Sequence, residues 1–188
     1  MARLEPVPPE ARRWSTRLWF WVMRRTFGRE LRPYPVFAHA PKVVGNVMTM
    51  NMLFEMGDWA LPADLRKLVH LRVAQLIGCE FCQDIIAAAG RKRGAGGKVD
   101  RIADWATDPA FSERERAALG YAEMVTISPT DITDAQFAEL RRLFSDREIV
   151  ELTAQASFEG FRARMGRALR IEDDGFATLP LNRLPSAL

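Results

Sequence analysis

The chain has 188 residues, 48% hydrophobic and 27% charged, enough to close a sizeable core within one domain. Its 27 basic and 24 acidic residues leave a net charge of +3, too balanced a field to attract nucleic acid, so no nucleic-acid partner is expected. Only two cysteines are present, separated by two residues, which excludes a secreted scaffold built on several bridges.

The first residues reach Pro8 and Pro9 before any apolar run, the wrong order for a signal peptide. No apolar stretch approaches the roughly 20 residues of a membrane-spanning helix, so a cytoplasmic protein is expected. Residues 1–33 read as an N-terminal extension and residues 34–188 as one helical domain. Within the extension, Trp14, Leu18, Trp21 and Val22 recur at helical spacing, while Arg13, Arg17, Arg24 and Arg25 fall mostly elsewhere on the wheel. The expectation is a helix whose apolar stripe packs on the domain or on a neighbouring subunit, with contact to a membrane surface as the weaker alternative.

Prolines break the chain between Tyr34 and Pro41, and Pro41 suits the first turn of a helix. Val44, Val47, Met48, Asn51, Met52 and Glu55 then share a face, and Gly57 to Pro62 ends that segment. Leu65, Leu68, Val69, Val73, Leu76 and Ile77 mark a deeply buried helix that stops at Gly78. Cys79-Glu80-Phe81-Cys82 follows at once and continues as helix to Gly90. The run GRKRGAGGK at 90–98 reads as a solvated basic loop, since it lacks the preceding strand and the following Ser or Thr of a phosphate-binding loop.

Three capping boxes organise the second half: Ser112 with Glu115, Thr133 with Gln136, and Ser145 with Glu148. Pro129 separates the first two helices, and the third runs from about Asp146 past Gly160 and Gly166 toward Ile171. No alternating strand pattern appears anywhere, so the fold class is all-α. RKLVHL at 66–71 and REIVEL at 147–152 form a faint internal echo, a hint of duplicated helical units.

Residues three apart lie on one face of a helix, so Cys79 and Cys82 can approach closely enough for a disulfide. A helix start offers free backbone amides and the positive end of the dipole, which favour a thiolate. Glu80 and Asp84 add opposing charge nearby. Zinc is not expected, because His39 and His70 are the only histidines and both stand upstream of the cysteines. A thioredoxin fold is excluded by the long helix where a strand is required. Two inert core cysteines remain open as the alternative.

The run LRKLVHLRVAQLIGCEFCQDIIAAAGRKRG at 65–94 resembles the signature helix pair of the AhpD-like alkylhydroperoxidases and carboxymuconolactone decarboxylases, and residues 111–154 resemble the downstream part of the same family. The resemblance implies an AhpD-like helical fold and a homo-oligomer. It also implies a hydroperoxide or disulfide substrate and a thiol reductant protein, with no cofactor and no metal. Cys82 would attack peroxide and Cys79 would resolve the sulfenic acid. The family pattern carries a glutamate twelve residues before the first cysteine and a histidine four after the second; these positions hold Lys67 and Ile86. Isoleucine carries no proton, so Lys67 is expected to act as a cation near the thiolate, with His70 and Glu55 as candidate replacements. Asp84 is expected to face away. The alternative function is a redox-inactive relative that binds a small molecule or serves as a scaffold, or a decarboxylase-like enzyme.

Overall fold

The computed structural model describes residues 2–127 and 130–188, and the described residues form helices and turns without a strand. The helices are α1 (Arg17–Phe27), α2 (Pro33–Phe37), α3 (Pro41–Met56), α4 (Ala63–Ile77), α5 (Glu80–Lys92), α6 (Gly96–Val99), α7 (Glu113–Thr126), α8 (Asp134–Leu143) and α9 (Asp146–Ala168). The all-α expectation therefore holds. Pro129 lies outside the described residues.

Helix α4 is the centre. Leu65, Leu68, Val69, Leu71, Val73 and Ala74 are buried, and so are Arg66, Lys67 and His70, because α5, α7 and α9 surround it. The two segments of the sequence echo fall in α4 and α9, which pack against each other. Their contact also fixes the chain that enters α4: Glu151 of α9 accepts hydrogen bonds from the Ala60 and Leu61 amides, just before Pro62, at 3.1 and 2.9 Å.

All three capping boxes form as expected and start α7, α8 and α9. Two expectations need correction. Part of the glycine-rich run is helical: α5 continues to Lys92, and 96–99 make a helical turn that buries Val99 against Gly90, where a side chain would collide. Around α1, Trp14, Leu18 and Trp21 of the expected stripe do not pack on the domain, and only Val22 is half-buried, which leaves the neighbouring subunit as the other half of that expectation. Phe20 and Met23 are buried, whereas Trp14, Leu18 and Trp21 are 78%, 64% and 58% exposed. This helix carries apolar residues on two faces, and periodicity alone cannot rank them. Tertiary contacts decide: Arg12 stacks over Phe20 at 4.0 Å and pairs with Glu30 at 2.9 Å, closing that side. No helix of the described residues is long and apolar enough to cross a membrane.

A second core cluster joins α1, α2 and α3 to the C-terminal segment through Phe20, Met23, Tyr34, Val44, Phe176 and Leu184. Asp84 fastens that segment. Its carboxylate faces away from the sulfurs and accepts from the amides of Asp174, Phe176 and Ala177 at 3.0, 3.0 and 2.6 Å. Three charge-assisted bonds to one buried carboxylate make Asp84→Ala costly, by about 3 kcal/mol. Urea denaturation measures this; a loss below about 1 kcal/mol would show that the segment is held by its apolar contacts alone.

Candidate active site

The site begins at the α4–α5 turn. Gly78 ends α4 in the left-handed region at φ +77°, which lets its amide and that of Cys79 return to the Ala74 carbonyl at 2.9 and 3.1 Å. Cys79 is then extended and serves as the N-cap of α5, its Sγ accepting the Cys82 amide at 3.2 Å. Sulfur takes the place normally filled by a Ser or Asp oxygen. The two cysteines are joined as a disulfide with Cα atoms 5.3 Å apart, and they are 1% and 5% exposed.

Helix α9 crosses directly over this turn. A Cβ on Gly166 would stand 2.5 Å from Sγ of Cys79 and 3.8 Å from Sγ of Cys82, so only glycine permits the crossing. Beyond it lies a cavity of about 410 Å³, within the size range of pockets for small organic molecules. Cys82, Phe81, Ile85, Ile86, Met165 and Gly166 form the wall on the sulfur side, and Tyr34, Phe37, Met48 and Met52 line it from α2 and α3. Cys79 is not part of the lining.

Charged groups also line the cavity. Lys67 is buried and ion-paired with Glu55, which Arg93 approaches at 3.6 Å. Burial pushes the Lys67 ammonium down while Glu55 holds it charged. Burial works against the Glu55 carboxylate too, but Lys67, Arg162 and Arg93 carry it below the ordinary carboxylate range. Position 67 thus holds a lysine on α4, and the carboxylate that meets it comes from α3. Ile86 adds hydrocarbon to the same wall.

His70 stands behind the wall and does not line the cavity. Its Nδ1 lies 3.4 Å from Nη2 of Arg162, which can only donate, so Nε2 carries the proton and donates to Oε1 of Gln155 at 2.7 Å. Burial, with Arg162 and Lys67 nearby, holds the imidazole neutral and its pKa well below 6.5. Sequence reasoning missed Glu159 and Arg162. Glu159 is fully buried and ion-paired with Arg162, and burial raises its carboxyl pKa. Arg162 also donates to Asn51 at 2.7 Å, and Asn51 donates to the Tyr34 hydroxyl at 2.9 Å. The available signal was the recurrence of Gln155, Glu159, Arg162 and Gly166 on one face of a single long helix.

Residues 46–124 match the carboxymuconolactone decarboxylase family. The chain is similar to the uncharacterised protein YnjA of Escherichia coli K12, with 33% identity over 164 residues, covering 87% of this chain and 90% of YnjA. A peroxidase-related protein with an alkylhydroperoxidase AhpD core from Ralstonia eutropha JMP134 superposes with a TM-score of 0.82 at 21% identity, covering 97% of each chain. A variant of the debrominase Bmp8 in complex with 2,3,4-tribromopyrrole superposes at 0.79 with 18% identity, covering 95% of this chain and 96% of that one. The chain belongs to the carboxymuconolactone decarboxylase family and has the AhpD-like helical fold.

Two outcomes follow from this geometry. Gly166→Ala forces a methyl group against Cys79 and is expected to cost about 2 kcal/mol in urea denaturation of the disulfide form; an unchanged midpoint would show that α9 yields freely. His70 titrates with a definite sign: below its ordinary value of 6.5 the unfolded imidazole takes a proton that the folded one refuses, so stability present above that pH is lost as pH falls. Stability therefore falls as pH drops from 7 to 5, and His70→Gln should flatten that slope; an identical slope in the variant would assign the pH dependence elsewhere.

Proposed function

We propose that this protein is a CxxC-dependent oxidoreductase that reduces small, mainly apolar hydroperoxides, with Cys82 as the attacking thiolate and Cys79 as the resolving thiol. The observation that carries this reading is the asymmetry of the pair: Cys82 lines the cavity and Cys79 lies behind it. In the reduced protein the Cys82 thiolate attacks the outer peroxide oxygen, the O–O bond breaks, and an alkoxide leaves and takes a proton to become an alcohol. Cys82 is then a sulfenic acid. Cys79 attacks its sulfur, the disulfide forms and water leaves, so one dithiol and one hydroperoxide become one disulfide, one alcohol and one water.

Lys67, paired with Glu55 on the cavity wall, contributes electrostatic support to the anion, and His70 acts only through the packing and hydrogen bonds of α4 and α9. A homo-oligomer belongs to the same proposal, supported by the exposed apolar side chains Trp14, Leu18, Leu53 and Met56. So does a cytoplasmic setting with a thiol reductant. A second reading, a redox-inactive relative that binds a small molecule, is supported by Ile86, which leaves no proton carrier one turn from Cys82.

Reaction of the reduced protein with cumene hydroperoxide, followed by thiol titration and mass spectrometry, tests the choice. Wild type is expected to lose both thiols per equivalent of peroxide, Cys79→Ser to stop at a sulfenic acid, and Cys82→Ser to remain unreactive. Survival of both wild-type thiols in excess peroxide would remove the oxidoreductase and leave the binding protein.

A further inference from the structure

Space lies on two sides of the turn that carries the disulfide. Besides the apolar cavity, an open cleft of about 310 Å³ is bounded by Gly78, Glu80, Gly166, Arg167, Arg170 and Glu172. Gly78 and Glu80 flank Cys79 in the chain, and Gly166, which rests on Sγ of Cys79, borders both the cleft and the cavity. The first turn of α5 and the end of α9 therefore form a partition, with the disulfide inside it.

The two spaces differ in chemistry. The cavity wall around Cys82 is hydrocarbon, and carrying a charged group into it is unfavourable. The cleft is charged. Glu172 is held by Arg32 at 2.7 Å. The guanidinium groups of Arg167 and Arg170 make no hydrogen bond or ion pair among the described residues, and both residues are exposed. Arg170 is held at φ +52°, in the left-handed region that side chains other than glycine rarely adopt. Arg3, bound through Nη1 to the Ala168 carbonyl, adds a cation at the same end of α9. With Glu172 occupied by Arg32, two free arginines face the single carboxylate of Glu80, and guanidinium groups match carboxylates with two parallel hydrogen bonds.

We propose that this cleft is the docking site of the reductant, that the reductant is a thiol bearing a carboxylate or a similar anionic group, and that it attacks from the Cys79 side. The inference rests on the thiol–disulfide chemistry of the proposed function. Cys79 is 1% exposed beneath Gly166, so the end of α9 must draw back from the turn before the reductant thiolate bonds to Sγ of Cys79; the Cys79–Cys82 bond then breaks, and Cys82 leaves as a thiolate into the cavity. A second reductant thiol then attacks the mixed disulfide and releases Cys79. Two reductant thiols become one disulfide while the protein disulfide takes up two electrons and two protons. The direction of attack has a consequence: the sulfur set free in the first step is the one that meets the oxidising substrate.

The test starts from the disulfide form and reads only its reduction, at low ionic strength, by three small thiols of different charge: mercaptoacetate, 2-mercaptoethanol and cysteamine. Comparing each thiol between wild type and variant cancels its intrinsic nucleophilicity. Arg167→Glu and Arg170→Glu are expected to slow mercaptoacetate about tenfold, leave 2-mercaptoethanol within about twofold and speed cysteamine. Arg167→Lys should recover most of the mercaptoacetate rate. Equal slowing of all three thiols, or no change in any, overturns the proposal. The separate oxidation of pre-reduced variants by cumene hydroperoxide should stay within about twofold of wild type, since neither arginine borders the cavity. Failure of that peroxide step in wild type would sink the proposed function without altering the charge series.

Discussion

The passage of α9 over the first turn of α5 is the constraint on which the site depends. At Gly166 the helix backbone lies against the sulfurs, which seals Cys79, exposes Cys82 to one side and separates two spaces of opposite polarity. The N-cap geometry of Cys79 follows from the same place. A sulfur that accepts the Cys82 amide is fixed by the turn and is also bathed in the positive end of the helix dipole. Fold and chemistry share one contact there, so a side chain at 166 disturbs both.

Around that contact the charges depart from the pattern that the resemblance led one to expect. A glutamate at position 67 would bring a carboxylate from α4; here α4 brings a lysine and α3 brings Glu55 to meet it. Lys67 and the half-buried Glu55 place an ion pair on the cavity wall. A partly buried pair of this kind gives little net stability, because desolvation offsets most of the attraction, but removal of either partner leaves an uncompensated charge. The pair is therefore better understood as a fixed field across the cavity than as a source of folding energy. Arg162 extends that field by linking Asn51 of α3, His70 of α4 and Glu159 of its own helix.

Much of this was legible in the residues. The capping boxes, the helix stop at Gly78 and the N-terminal placement of the dithiol depend on local backbone chemistry, and local chemistry is written within a few residues of the sequence. The burial of α4 was legible for a similar reason, since its stripe covers most of the helix circumference. What escaped depends on contacts between distant segments. Trp14, Leu18 and Trp21 were expected to pack on the domain or on a neighbouring subunit, and the choice of Phe20 and Met23 for the domain core was made by Arg12, Glu30 and the C-terminal segment. Glu159 and Arg162 looked like ordinary helix charges. Only the position of α9 shows that Glu159 is buried and Arg162 half-buried, and only the Cβ clearance at Gly166 shows why that helix needs a glycine there.

In the proposed reaction, isoleucine at position 86 leaves the activation of Cys82 to the backbone and to Lys67. Free amides and the dipole at a helix start stabilise an adjacent anion by about 0.5 to 2 kcal/mol, depending on burial. General acid–base assistance from a well-placed side chain contributes roughly a hundredfold to ten-thousandfold in rate, equivalent to about 3 to 5 kcal/mol. The first effect cannot fully replace the second. A chain that keeps both cysteines under this arrangement therefore suits a reactive electrophile whose leaving group needs little help with its proton. A hydroperoxide meets that condition better than a lactone or an amide, because its O–O bond is weak and water entering the cavity mouth can protonate the departing alkoxide.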